Sequence, residues 1–181
     1  YVERNTVTAW LSQAFPFPAS TDTEAVRVLG AVLADEFGPG LDRPEVFTSG
    51  YEVERHGSGG ALILHLVLAP GAASAMAEEV EARVVEIARD GIHAGAWERV
   101  AERFRGERLL DLERPEARAA ALARSLGDSA GAGLAGQLAP GGWPGRGWLP
   151  TPARVQAAAG ALGFPARAVV GPRSARAAVS P

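Results

Sequence analysis

Cysteine is absent from the 181 residues, which excludes a disulfide framework, a thiolate zinc site and a cysteine nucleophile. Lysine is absent too, so all eighteen basic residues are arginine, and asparagine occurs once, at Asn5. With abundant Ala, Gly and Pro, this usage points to a coding bias toward G and C rather than to a task. The eighteen arginines stand against 21 acidic residues for a net charge of −3, and no basic block is dense enough to follow a phosphate backbone. Nucleic-acid binding is not expected. No run of about 18 apolar residues could cross a bilayer, and YVERNTVTAW lacks the charged-then-apolar pattern of a signal peptide. A soluble, cytoplasmic protein with no membrane partner is the expectation, although the Tyr1 start leaves room for an upstream segment.

What is present suits a single core. A 47% apolar content with mean hydropathy near zero fits one globular domain over 1–172, with a flexible tail at 173–181. TVTAWLSQAF (6–15) is rich in β-branched and aromatic residues and predicts a strand that ends at Pro16 and Pro18, which cannot donate to a ladder. Thr21-x-x-Glu24 reads as a capping box for a helix with Ala25, Val28, Leu29, Val32 and Leu33 on one face, stopped by Gly38-Pro39-Gly40. VFTSGYEVER (46–55) and GALILHLVLA (60–69) predict a hairpin through His56-Gly57-Ser58-Gly59, the second strand the more buried.

Helical spacing then takes over. Met76, Val80, Val84 and Ile87 form the stripe of one helix closed by Asp90-Gly91, and Trp97, Val100, Ala101 and Phe104 form that of the next. A further helix is predicted over 115–134, a Gly/Pro loop after it, a short helix in TPARVQAAAGALG and a last strand at 167–171. The order β-α-β-β-α-α-α-α-β gives an α+β two-layer sandwich, a mixed or antiparallel sheet covered by helices.

Four local patterns invite a chemical reading. GAGLAG (131–136) has dinucleotide-binding spacing, but it ends a helical stretch instead of joining a strand to a helix, so a Gly-rich helix end is the better account. HGSGG (56–60) has His56 where a nucleophile elbow needs glycine, and Gly-Ser-Gly is ordinary turn chemistry. His56, His65 and His93 have no second histidine within four residues, so a metal site is not expected. His65, on the apolar strand, reads as a hydrogen-bonded core residue, and His93 as a helix-start residue. Trp143, Arg146 and Trp148 make either a partner-binding loop or a plug for the core.

The joint order of LSQAFPFPAS with DTEAVRVLGAVL, GYEVERHGSGGALILHL, EEVEARVVEIARDGIHAGAWERVAERFRGE and LPTPARVQAAAGAL before RAVVGP resembles one half of the insulinase/pitrilysin-type metallopeptidases. That group includes mitochondrial processing peptidase and the core subunits of the cytochrome bc complex, and the resemblance runs from residue 6 to about 172. It implies a subunit of two such halves, of which an active N-terminal half holds zinc through His-x-x-Glu-His and a downstream Glu. No histidine here begins that motif, so the resemblance implies a C-terminal-type, non-zinc half, inactive alone. It would form chamber wall and peptide-binding surface with a zinc-bearing partner half or subunit, in a heterodimer. The zinc would belong to that partner, with no cofactor in this chain and a peptide as substrate. The family's C-terminal half often supplies a substrate-binding Tyr with an Arg about seven residues before it. Tyr51 matches the Tyr; Pro44 stands where the Arg is expected, and Arg43 is one place off. Tyr51 also reads as a strand aromatic packed on the sheet. The rival expectation is a structural or interaction protein of the same fold with no role in proteolysis.

Overall fold

A computed structural model describes residues 1–4, 6–40, 42–113, 116 and 149–172. The chain divides into two compact units, residues 1–100 with 150–181, and residues 101–149. The first unit holds the whole sheet. Its elements are β1 (Val2–Glu3), β2 (Ala9–Pro18), α1 (Thr23–Glu36), β3 (Val46–His56), β4 (Gly59–Leu68), α2 (Ala73–Asp90), α4 (Pro152–Gly160) and β5 (Ala166–Gly171). A helix α3 (Ala94–Glu113) begins in it and continues into the second unit. The five strands lie in the order β1-β5-β2-β4-β3, antiparallel except for the β1–β5 pair, which makes the predicted α+β sandwich a mixed sheet.

Side-chain alternation along β2 sets the two faces. Ala9, Leu11, Gln13, Phe15 and Phe17 are buried, while Trp10, Ser12, Ala14, Pro16 and Pro18 point away from them. The β4 strand repeats the pattern, with Leu62, Leu64, Leu66 and Leu68 inward and Ala61, Ile63, His65 and Val67 outward. Each fully buried leucine or phenylalanine contributes on the order of 2 kcal/mol. The helices meet the inward side. Ser49 Oγ donates to the Ala34 carbonyl of α1, and Gln13 Nε2 donates to the Ala77 carbonyl of α2 at 3.0 Å and to Glu81 at 3.1 Å. Glu81 also accepts from Arg167 Nε at 2.7 Å, the residue paired with Gln13 across β5.

Three strand and cap expectations need correction. The strand does not stop at Phe15 but runs to Pro18. The Gly163 N–H donates to the Pro16 carbonyl at 2.7 Å, on the side where β5 has already ended at Ala14↔Ala166. A residue's N–H and C=O point to the same side of a strand, so Pro16 lacks a donor only where no ladder needs one. The cap of α1 is Asp22, whose carboxylate accepts from the N–H groups of Glu24 and Ala25 and ion-pairs with Arg154 of α4. The Thr21 hydroxyl, by contrast, is buried without a partner. A two-residue strand, β1, also precedes the predicted first one; it is too short for any periodicity and exists because Val2 and Glu3 pair with Val170 and Gly171.

The stripe of α2 matches its spacing. Met76, Val80, Val84 and Ile87 are all buried, and Gly91, at φ +83, ends α2 in a conformation that favours glycine. Thr151 caps α4 and Pro152 opens it. In α3, Val100 and Ala101 are buried, with Ala96 beside them rather than Trp97 or Phe104. The helix expected over 115–134 and the tail at 173–181 fall outside the described residues, Glu116 excepted.

Candidate functional site

The two residues singled out for substrate contact engage different helices. Arg43 precedes β3 in a turn, where its guanidinium lies 4.6 Å from the Phe37 ring centroid and donates to Glu79 of α2 at 2.8 Å. Its Nη1 also lies 3.5 Å from Met76 Sδ. Tyr51 belongs to the inward side of β3, paired with Leu64, and its ring packs on α1 at Gly30. A Cβ built there would meet Tyr51 Cγ at 2.9 Å and Leu62 Cδ1 at 2.8 Å. Glycine at position 30 therefore makes room for the tyrosine ring.

His65 stands elsewhere than the sequence suggested. It lies on the outward face with 43% of its side chain exposed, not in the core, because Leu64 and Leu66 take the inward positions on either side. Its Nδ1 is 2.9 Å from Ser12 Oγ across the β2–β4 pair, and its Nε2 is 4.0 Å from Glu52 on β3. A hydroxyl, an imidazole and a carboxylate in line are the parts of an activated serine. The strand neighbours β4 and β5 occupy both sides of β2 at Ser12, however, so no backbone N–H there faces a developing oxyanion. The cluster is a polar step on an open sheet. The alternation of leucines at 62, 64, 66 and 68 was the signal that could have placed it.

The remaining histidines are also apart. His56, at the end of β3, is 3.5 Å from Glu54, and Gly57-Ser58 forms the tight turn of the β3–β4 hairpin. His93 accepts from the Trp97 N–H through its carbonyl, starting α3. Among the described residues no three His, Cys, Asp or Glu side chains converge as metal ligands. The whole sequence holds three histidines and no His-x-x-Glu-His. GAGLAG and the Trp143, Arg146 and Trp148 loop lie outside the described residues. No helix among the described residues is long and apolar enough to cross a membrane.

Electrostatics elsewhere serve structure. Arg83 of α2 donates to both carboxylate oxygens of Glu36 at 2.7 and 2.8 Å and lies 2.9 Å from Glu86. The Glu36 hydrogen bonds, opposed by burial, hold its guanidinium above the ordinary arginine range. The exposed Asp90 carboxyl is held below the usual carboxylate range by its hydrogen bond from Arg89.

The sequence matches no family profile and no curated protein. Solved structures do match. The periplasmic protease PqqL from Escherichia coli is similar over 95% of this chain and 20% of its own, at 14% identity and a TM-score of 0.64. A peptidase M16 inactive domain from Pseudomonas fluorescens is similar over 94% of this chain and 42% of its own, at 14% identity and a TM-score of 0.56. A proposed zinc protease from Bordetella pertussis covers 93% of this chain and 96% of its own, at 14% identity and a TM-score of 0.63. The chain thus spans a fifth of the length of the first and 42% of the second. These likenesses establish the fold alone: it is the one seen in these proteases and in the inactive peptidase M16 domain.

Proposed function

We propose that this chain is a non-catalytic half of an M16-type peptidase assembly, forming chamber wall and peptide-binding surface beside a zinc-bearing half. One combined observation carries the reading. The fold of such a domain is present over nearly the whole chain, yet the sequence lacks the ligand set that zinc hydrolysis needs. The likeness to an inactive M16 domain agrees with it. On this reading Tyr51 and Arg43 contact the peptide, and zinc comes from the partner.

The test is co-purification from the native host, followed by zinc analysis and peptide cleavage with and without the partner. The partner should hold the zinc, and cleavage should need both components. Stoichiometric zinc and turnover in the isolated 181 residues would overturn the proposal. Tyr51→Phe should lower the assembly's turnover at unchanged stability; an unchanged rate removes Tyr51 from the site. A second reading, an interaction protein with no role in proteolysis, draws support from the contacts of Arg43 with Glu79 and Phe37 and of Tyr51 with α1.

A further inference from the structure

Asp-Gly occurs once in the sequence, at Asp90-Gly91, and the fold puts it where α2 ends. An aspartate followed by glycine is prone to close an imide ring, because no Cβ on the next residue shields its nitrogen. The Gly91 nitrogen attacks Asp90 Cγ in the carboxylic acid form; the N–Cγ bond forms, the Cγ hydroxyl departs, and with the N–H proton it leaves as water. Water then reopens the succinimide. Cleavage of N–Cγ restores aspartate, whereas cleavage between the nitrogen and the Asp90 main-chain carbonyl carbon leaves isoaspartate, whose backbone runs through Cβ and Cγ.

The folded chain opposes the attack with three contacts. The Gly91 N–H donates to the Ile87 carbonyl at 2.9 Å, so the nitrogen must leave the helix ladder before it can react. Gln156 of α4 holds the same turn from outside: its Nε2 donates to the Ala88 carbonyl at 3.3 Å and to the Arg89 carbonyl at 3.0 Å. These are carbonyls that a helix end leaves without an intrahelical donor. The Gln156 amide also lies beside Gly91, where a built Cβ would meet its Oε1 at 3.6 Å. The Asp90 side chain is 53% exposed, yet Arg89 donates to it through Nε at 3.0 Å and Nη2 at 2.6 Å. These bonds, with His93 adding to them, favour the ionised carboxylate, a poor electrophile.

We propose that Asp90-Gly91 is a site of spontaneous isoaspartate formation whose rate is set by the hold of Gln156 on the last turn of α2. The product cannot resume the native contacts. Isoaspartate inserts a methylene into the backbone at the point where Gly91 closes the helix, which draws the Gly91 N–H away from Ile87 and loosens the seat of α4 on α2. The inference does not depend on the peptidase reading.

The experiment ages the full chain, Gln156→Ala, Gln156→Glu and Asp90→Glu at physiological temperature and neutral pH, in buffer and in unfolding urea. Cleavage after glutamate releases residues 87–98 as one peptide, in which aspartate and isoaspartate are told apart by elution and electron-transfer fragmentation. The unfolded wild type should isomerise fastest and the folded wild type slowest. Folded Gln156→Ala should run about fivefold faster than folded wild type, the rise in open population that losing one net hydrogen bond gives. Gln156→Glu keeps the volume but offers no donor, and should match or exceed it. Asp90→Glu, which would need a six-membered ring, should give an unchanged peptide. Circular dichroism during urea unfolding checks that each variant is folded. Absence of isoaspartate from the unfolded chain, equal rates for folded and unfolded wild type, or folded Gln156 variants no faster than wild type would each overturn the inference.

Discussion

Replacing Gly30 by alanine sets helix propensity against packing, and the structure decides the sign. Gly30 lies within α1, fully inside the buried face that runs from Ala25 to Leu33. In an isolated helix the change stabilises by about 1 kcal/mol, since glycine loses the most backbone freedom on folding. Here the new methyl would meet Leu62 Cδ1 at 2.8 Å and Tyr51 Cγ at 2.9 Å, with Tyr51 Cδ2 closer still. The leucine methyl can rotate away. The first ring atom of Tyr51 cannot retreat without moving the ring or β3 itself. Overpacking of a tight core costs about 1–3 kcal/mol, and three atoms inside contact distance place this site toward the upper end, near ~3. The net expectation is destabilisation by about 2 kcal/mol. For a chain of this length that is a fall in Tm of roughly 4–8 °C. Urea unfolding followed by far-UV circular dichroism measures it. The double-mutant cycle with Tyr51→Ala supplies the control: without the ring, Gly30→Ala should cost about nothing, a coupling of about 2 kcal/mol. A Gly30→Ala protein as stable as the wild type, or more so, would refute the packing account and free Tyr51 from its seat on α1.

Two further predictions concern charges that join elements. Asp22→Ala removes the acceptor for two N–H groups at the start of α1 and the ion pair to Arg154, and should cost about 1–2 kcal/mol in urea unfolding; Asp22→Asn, which keeps an acceptor, should recover at least half. Arg83→Leu leaves Glu36, only 19% exposed at its side chain, without its bidentate partner and should cost on the order of 3 kcal/mol, while the Arg83→Leu/Glu36→Leu pair should lose much less.

Much of this fold was legible because burial imposes a period. The stripes of α1 and α2, the hairpin at Gly57-Ser58 and the Thr151-Pro152 start of α4 follow from spacing and cap chemistry alone. The misses share a cause: they depend on which side of a strand its neighbour stands. Pro16 and Pro18 looked like the end of β2 because a proline reads as a broken ladder, yet the ladder on that side had already stopped. His65 looked internal because GALILHLVLA is apolar on both faces, whereas the described helices meet only the side of Leu64 and Leu66. Asp22 and Thr21 are both competent caps, and one residue of register chose between them. The proposed site was least legible. No local pattern showed that Arg43 would lie over Phe37 and Glu79, or that Tyr51 would pack against a glycine of the preceding helix.

The partnership of β1 with β5 bears on the order in which the molecule assembles. Tyr1 donates its hydroxyl to the Gly171 carbonyl, 170 positions along the chain, and Val2 pairs with Val170. The β3–β4 hairpin can close as soon as residue 68 has left the ribosome, and β2 can join it at once through Ala9↔Leu68. The other edge of the sheet must wait for the last strand to be synthesised. Until then β2 exposes one whole side of its backbone, and the nascent chain is most vulnerable to pairing with a neighbour along that seam. Synthesis that pauses before residue 166 would prolong this interval, and a chaperone acting on the growing chain would find its target there.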